Sequence, residues 1–326
     1  MAASSTEVWQ RARVVESVPL TAAVRHIVLE PALPVKVVPG AHIDVHLVIA
    51  GELDRRSYSV VEAEADGSRL AVSVLDSPRS RGGAAVMHAL RAGDELEITQ
   101  PLVDFPLRIG AARYVLLAGG IGITAVSAMA ETLRSIGADY TLVYLAHSRI
   151  EMAHLERLEN LHGERLVLQI SDEGTALDVT SFVTAIDRET ELYLCGPIRL
   201  MDAVRRAWID SGHSQPQLRF ETFGNSGWFD PQEFTVRIPT LGIEAVVGSN
   251  SSMLEALEAA GAEMMYDCRK GECGLCEVLV LELDGTIDHR DVFYSERQKD
   301  ATSKMCCCVS RVARPSGGAV VTIQTS

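Results

Sequence analysis

Six of the seven cysteines in this chain fall between residues 268 and 308. Three of them share one short stretch, Cys268-Arg-Lys-Gly-Glu-Cys273-Gly-Leu-Cys276, and Cys306, Cys307 and Cys308 are consecutive. Such clustering in a 326-residue chain reads as metal ligation, not as a disulfide framework. Thiolates suit both zinc and iron–sulfur chemistry. Zinc sites usually draw on two C-x2-C pairs, and here only Cys273 and Cys276 form one. The C-x4-C-x2-C spacing with a distant further Cys is the plant-type pattern for a [2Fe–2S] cluster. One segment that supplies three ligands must wrap tightly, and Gly271 and Gly274 let backbone N–H groups approach the sulfurs. Spacing alone leaves the fourth ligand open among Cys306, Cys307 and Cys308.

A length of 326 residues suggests two or three domains, and 47% hydrophobic with 23% charged residues is ordinary for a globular protein. The formal charge of −14 argues against nucleic acid and against an anionic membrane surface. The start, Met1-Ala-Ala-Ser-Ser-Thr-Glu, lacks the basic and apolar regions of a signal peptide, so a cytoplasmic protein is expected. The longest uncharged stretch, Tyr114 to Ala130, is short for a membrane span and is interrupted by Gly119, Gly120 and Gly122.

Three blocks follow one another. Up to about residue 107, short strands such as Arg25–Glu30, His42–Ile49, Arg69–Leu75 and Glu95–Thr99 alternate with the turn signals Pro39-Gly40, Asp66-Gly67 and Gly93-Asp94, which suggests a barrel. From about 110 to 225, apolar strands alternate with helical periodicity, as in Tyr114–Ala118 followed by Thr124–Ile136, and predict a parallel sheet. After the linker-like Gly224-Asn-Ser-Gly227, a hairpin is expected over Phe234–Ile238 and Ile243–Val247. The capping box Ser252-Met-Leu-Glu255 then opens a helix that stops at Gly261.

Each block carries a ligand motif. In the first, Arg56-Ser57-Tyr58-Ser59 follows a predicted strand: an Arg makes charge-assisted bonds to phosphate, a Tyr ring can lie on a flat ring system, and a Ser can bond its edge. Ser80-Arg81-Gly82-Gly83 precedes a predicted helix and offers backbone donors to a phosphate. In the second, Gly119-Gly120-Ile121-Gly122-Ile123-Thr124 joins a strand to a helix, so that the helix start faces a pyrophosphate, although it is not the G-x-G-x-x-G fingerprint. The second block also holds Cys195-Gly196-Pro197 with Met201, the segment His147-Ser148-Arg149, and Glu221-Thr222-Phe223.

In this order, over roughly residues 8 to 326, the motifs resemble those of phthalate dioxygenase reductase-like and vanillate demethylase reductase-like proteins. The resemblance implies a multidomain fold: an antiparallel flavin-binding β-barrel over 1–109, an α/β parallel-sheet nucleotide domain over 110–226, and an α+β β-grasp plant-type ferredoxin domain over 227–326. It implies that Arg56, Tyr58, Ser59, Ser80, Arg81, Gly82 and Gly83 hold FMN, with Phe223 able to approach the flavin. Gly119, Gly120, Gly122, Thr124, Cys195, Gly196 and Pro197 would hold NADH, with Ser148 and Arg149 near the adenine ribose. Ser59 and Cys195 would flank the hydride transfer as the catalytic residues. The tail Asp288-His-Arg-Asp291 and Cys308-Val-Ser-Arg311 resembles the family's C-terminal domain and selects Cys308 to join Cys268, Cys273 and Cys276, leaving Cys306 and Cys307 as bystanders. Ala84 and Ala125 depart from the family's Ser and Pro; backbone donors and Arg81 remain at the first, and only a pre-set helical turn is lost at the second.

The implied function is the reductase component of a two-component Rieske-type oxygenase system, of the aromatic dioxygenase or O-demethylase class. It would be a monomer that takes electrons from NADH and passes them through FMN and the [2Fe–2S] cluster to a separate terminal oxygenase. The sequence leaves three other readings: a reductase for a haem monooxygenase, a non-catalytic electron carrier, and a zinc-bearing interaction protein.

Overall fold

The computed structural model of the chain describes residues 7–49, 51–77, 80–223, 227–315 and 317–325. The N-terminal residues on which the leader expectation rested, and most of the expected linker at Gly224, lie outside them. The chain forms two compact units: Met1–Pro78, Gly82–Gly196 and Ala203–Glu221 in the first, and Arg79–Arg81, Pro197–Asp202 and Thr222–Ser326 in the second.

The first unit begins with seven strands: β1 (Trp9–Pro19), β2 (Val24–Pro31), β3 (Ala41–Ile49), β4 (Glu52–Ala63), β5 (Leu70–Leu75), β6 (Glu95–Thr99) and β7 (Leu102–Val103). Their order is β4-β5-β2-β1-β6-β3-β7, and a further β3–β4 pairing closes six of them into an antiparallel barrel. Alternation drives the closure: Ile27, Leu29, Ile43, Val45, Val60 and Val72 point inward and are buried. Burying each such side chain contributes about 1.5–3 kcal/mol. The turn glycines Gly40, Gly67 and Gly93 have φ of +83°, +76° and +100°, which glycine adopts without steric cost. One short helix, α1 (Gly83–Ala89), lies on the barrel, and His88 Nε2 hydrogen-bonds the Val74 carbonyl oxygen of β5 at 2.8 Å.

Next come β8 (Arg113–Gly119), α2 (Ile123–Ser135), β9 (Tyr140–Ala146), α3 (Leu155–His162), β10 (Leu166–Ile170), α4 (Val179–Thr184), β11 (Thr190–Cys195), α5 (Ile198–Asp210) and β12 (Leu218–Glu221). The five strands pair in parallel in the order β10-β9-β8-β11-β12. The order reverses between β8 and β11, and ligands of open parallel sheets bind at such a switch point. The expected strands and the helix from residue 124 are all present, displaced by a residue or so.

The second unit contains β13 (Phe234–Ile238), β14 (Ile243–Val247), α6 (Met253–Ala259), β15 (Glu277–Asp284), β16 (Thr286–Asp288), α7 (Glu296–Asp300), β17 (Lys304–Cys306), β18 (Arg311–Ala313) and β19 (Ala319–Thr325). The order β14-β13-β19-β15-β17 sets β13 parallel to β19 in an otherwise antiparallel sheet. The expected hairpin is β13–β14, and Ser252 and Glu255 form both halves of the capping box on α6.

Candidate functional site

Arg56–Ser59 lies inside β4 and not after a strand, because β4 pairs with both β3 and β5. Strand alternation sends Arg56 and Tyr58 to one face and Ser57 and Ser59 to the other. On the second face, Arg55 and Ser57 both bind the buried carboxylate of Asp44. On the first face, Gly83 packs against both side chains. A Cβ there would meet Arg56 Cγ at 2.9 Å and the Tyr58 hydroxyl at 3.3 Å. A Cβ on Gly82 (φ +88°) would meet Ile49 Cγ2 at 2.6 Å. The two glycines thus let the start of α1 lie directly on the Arg56–Tyr58 face. Arg56 pairs with Asp54, and burial pushes the Tyr58 phenol above its ordinary range. Ser80 is half-buried, and Arg81, which groups with the second unit, donates to both oxygens of Glu255 at 3.0 Å.

The glycine loop and Cys195-Gly196 meet at the switch point. Ala118 pairs with Cys195, and a Cβ on Gly122 would sit 2.2 Å from the Cys195 carbonyl oxygen. Gly119 ends β8, Gly120 has φ +55°, and Thr124 Oγ1 donates to the Ile121 carbonyl oxygen at 2.9 Å, which tightens the first turn of α2. Cys195 is fully buried. Pro197 carries the carbonyl that accepts from the N–H groups of Leu200 and Met201 at the start of α5. Phe223 is half-buried two residues beyond β12. Beyond β9, the half-buried Ser148 caps a short turn closed by Glu151, and Arg149 forks onto Glu173. Within this unit, β4 packs against α2, so the strand of Arg56 and Tyr58 adjoins the helix that the glycine loop opens. Arg157 reinforces that junction by pairing with Glu62 of β4 at 3.5 Å and Glu131 of α2 at 2.9 Å.

The cysteine loop runs from α6 to β15. Residues Arg269, Gly271 and Gly274 have φ of +51°, +76° and +75°, and these left-handed turns curl the chain around Cys268. The N–H groups of Lys270, Glu272 and Cys273 all point at Cys268 Sγ, each at 3.4 Å. The Cys268 thiol also hydrogen-bonds Cys273, and burial pushes it up against the pull of those donors. Cys276 forms the other grouping, with hydrogen bonds from the thiols of Cys306, Cys307 and Cys308 that pull it down.

The three later cysteines differ in how the backbone uses them. Cys306 ends β17, and its carbonyl closes the next turn by accepting from Val309 and Ser310. Cys307 donates to the Cys276 carbonyl at 3.1 Å and accepts from Leu254 at 3.0 Å. Both side chains are fully buried in the core of this unit. Cys308 lies in that turn and is buried in the same core, and its thiol feels Cys268 as well as Cys276. Among the described residues, no three His, Cys, Asp or Glu side chains converge on a point that would hold a single metal ion. The thiols fall instead into two neighbouring groups, Cys268 with Cys273 and Cys276 with Cys306, Cys307 and Cys308. Two adjacent groups of thiols suit a two-iron cluster held by four cysteines.

Residues 237–313 match the family model described as the 2Fe-2S iron-sulfur cluster binding domain. The phenoxybenzoate dioxygenase subunit beta of Ectopseudomonas oleovorans is 34% identical over 282 residues, which is 84% of this chain and 85% of that protein. The solved structure of phthalate dioxygenase reductase, described as a modular structure for electron transfer from pyridine nucleotides to [2Fe-2S], is 27% identical with a TM-score of 0.73. The match covers 96% of this chain and 98% of that one.

The chain belongs to the phthalate dioxygenase reductase-like family.

The heme-dependent oxidative N-demethylase beta subunit of Ectopseudomonas mendocina (strain ymp) is a further relative, 34% identical over 83% of this chain and 85% of its own length. Two longer solved chains match 96% and 97% of this chain but 42% and 41% of their own length, so this chain spans about two fifths of them.

As a member of this family the chain is an oxidoreductase that binds a flavin, a nicotinamide nucleotide and a [2Fe–2S] cluster. The donor sets fit these groups: a cation and packed glycines beside a tyrosine, a glycine loop at a sheet switch point, and two adjacent groups of thiols. No helix among the described residues is long and apolar enough to cross a membrane. Sequence reasoning missed the carboxylates that meet Arg81 and Arg149, Glu255 and Glu173, because each lies far along the chain from its partner.

Proposed function

We propose that this reductase takes electrons from NADH and delivers them, through FMN and the [2Fe–2S] cluster, to a separate Rieske-type oxygenase of the aromatic dioxygenase or O-demethylase class. The observation that carries the reading is the packing of β4, the strand that bears Arg56 and Tyr58, on α2, the helix that the glycine loop opens, within one unit. The bound flavin supplies the conversion of a hydride into single electrons, and the protein's part is to position and insulate it. Arg56, Ser80, Arg81 and the N–H groups of Gly82 and Gly83 hold the FMN phosphate, while Tyr58 supports the ring and Ser59 its edge. Gly119, Gly120, Gly122 and Thr124 seat the pyrophosphate, with Gly196 and Pro197 beside it. Buried Cys195 lines the nicotinamide side and excludes water there, Ser148 and Arg149 meet the adenine ribose, and Phe223 closes on the flavin. Cys268, Cys273, Cys276 and Cys308 hold the cluster. Domain limits at 109/110 and 226/227, a monomeric state and a cytoplasmic location complete the reading.

The test is anaerobic titration with NADH, followed by mixing with purified oxygenase. Flavin and cluster absorbance should bleach with NADH and return when a Rieske oxygenase and its substrate are added. Failure of NADH to bleach the flavin, or equal efficiency with NADPH, would sink the reading. Likeness to a heme-dependent demethylase subunit favours a haem acceptor as the second reading. Faster reoxidation by a haem oxygenase than by a Rieske enzyme would select it.

A further inference from the structure

The nucleotide sheet presents a cation where a 2′-phosphate would be read, but the cation is already engaged. β9 ends at Ala146 and is followed by His147-Ser148-Arg149; β10 ends at Ile170 and is followed by Ser171-Asp172-Glu173. The Asp172 N–H donates to the His147 carbonyl oxygen at 3.0 Å, which locks the two loops together. Gly174 (φ +79°) closes the second loop on Ser171, and Thr175 returns to the Ile170 carbonyl. The Glu173 side chain is therefore carried on a fixed turn.

Arg149 Nε and Nη2 donate to the two oxygens of Glu173 at 3.0 Å each. Arg149 Nη1 lies 3.5 Å from Glu159 of α3. Two carboxylates thus surround one guanidinium, and the group carries a net charge of about −1. In nucleotide folds the side chain near the end of the second strand decides the cofactor: an acid suits a free 2′-hydroxyl, and an Arg suits a 2′-phosphate. Arg149 by sequence position belongs to the second kind. Its fork geometry belongs to the first.

We infer that Glu173, with Glu159, is a specificity determinant that rejects NADPH by occupying Arg149 and leaving the ribose end negative. This rests on the NADH reading and adds to it the residues that enforce the choice. A dianionic phosphate about 5 Å from a net charge of −1 in water is disfavoured by about five- to tenfold, depending on ionic strength. Releasing the fork adds a bidentate, charge-assisted contact to the phosphate, which raises the effect further.

The experiment measures kcat/KM for anaerobic flavin reduction by NADPH and by NADH in the full-length holoprotein, for wild type, Glu173→Gln, Glu159→Gln/Glu173→Gln and Arg149→Ala/Glu173→Gln. The ion pairs are exposed, so these changes leave folding intact. The NADPH/NADH ratio should rise about tenfold in Glu173→Gln and further in the double carboxamide variant. It should return towards the wild-type value when Arg149 is also removed, and the gain should shrink at high salt. An unchanged ratio in Glu173→Gln, or a gain that persists without Arg149, overturns the inference. A wild type that uses NADPH as readily as NADH overturns the nucleotide reading itself, which is a separate outcome.

Discussion

Gly271 and Gly274 lie on either side of Cys273 and share a left-handed backbone, yet their surroundings differ. A Cβ on Gly271 would meet Val309 Cγ2 at 2.6 Å and the Asp291 Cα at 2.9 Å, both fixed in buried structure. A Cβ on Gly274 would meet the ring of Phe293 at 2.3–2.5 Å, but that ring is 42% exposed and can swing away. Both alanine variants incur the left-handed cost of about 1–2 kcal/mol, and Gly271→Ala adds about 1–3 kcal/mol of overpacking. Gly271→Ala should therefore lose iron and thermal stability well before Gly274→Ala does. Equal iron-to-protein ratios and melting temperatures would refute the packing argument. The proposed ligands yield a second comparison. Cys308→Ser should abolish the visible spectrum and iron content of the cluster, and Cys306→Ser should keep both; the opposite result assigns the ligand to Cys306.

Buried charges of the second unit gather on and beside the short strands β16 and β18. Asp288 and Arg290 are 1% and 5% exposed and pair at 2.6 Å, and Asp288 also accepts from the Trp228 N–H at 2.8 Å. Arg290 in turn donates to the Phe229 carbonyl. Arg311, one strand over, spends its donors on the carbonyls of Gln232, Gly248 and Ser251. These side chains tie loops to strands that no sheet pairing reaches. Replacing Asp288 by Asn keeps the bond to Trp228 but leaves the Arg290 charge buried and unbalanced, at a cost of about 3–5 kcal/mol. The urea midpoint of Asp288→Asn should fall accordingly, and Asp288→Asn/Arg290→Met should recover part of the loss. A single variant within about 0.5 kcal/mol of wild type would mean that the pair contributes specificity and no stability.

Two histidines of the first unit contribute to the acid sensitivity of the whole molecule. His154 bridges to Ser73 of the barrel at 2.9 Å, and Tyr140 meets His162 at 2.7 Å. Burial, then His26 and Arg157, lowers His154 from 6.5 to about 4. Burial, then Arg134, Arg157 and Arg165, does the same to His162, also to about 4. Between these values the unfolded chain binds protons that the folded chain refuses. The two histidines' contribution to stability is thus full above pH 6.5, declines as pH falls towards 4, and changes no further below that. Melting temperatures from pH 4 to 7 should show a shallower slope for His154→Gln/His162→Gln than for wild type. Parallel curves would show that both histidines titrate normally in the folded state.

The cluster and nucleotide classes were legible in the sequence because their signals are local, three cysteines on one loop and glycines at a strand-to-helix turn, whereas Arg56 and Tyr58 pointed to a flavin only through the order of the motifs. Strand periodicity likewise exposed the barrel and the parallel sheet, although β1, ordered by β2 and β6 on either side, and the strand character of Arg56–Ser59, ordered by β3, were hidden. Tertiary structure alone buried Cys306, Cys307 and Cys308 together beside Cys276, brought β4 onto α2, and closed Glu173 on Arg149. Spacing along a chain fixes what a short loop can bind. Which of several equivalent thiols faces the loop, and whether a cation is spare or already paired, depend on residues tens of positions away that only folding brings within 3–4 Å.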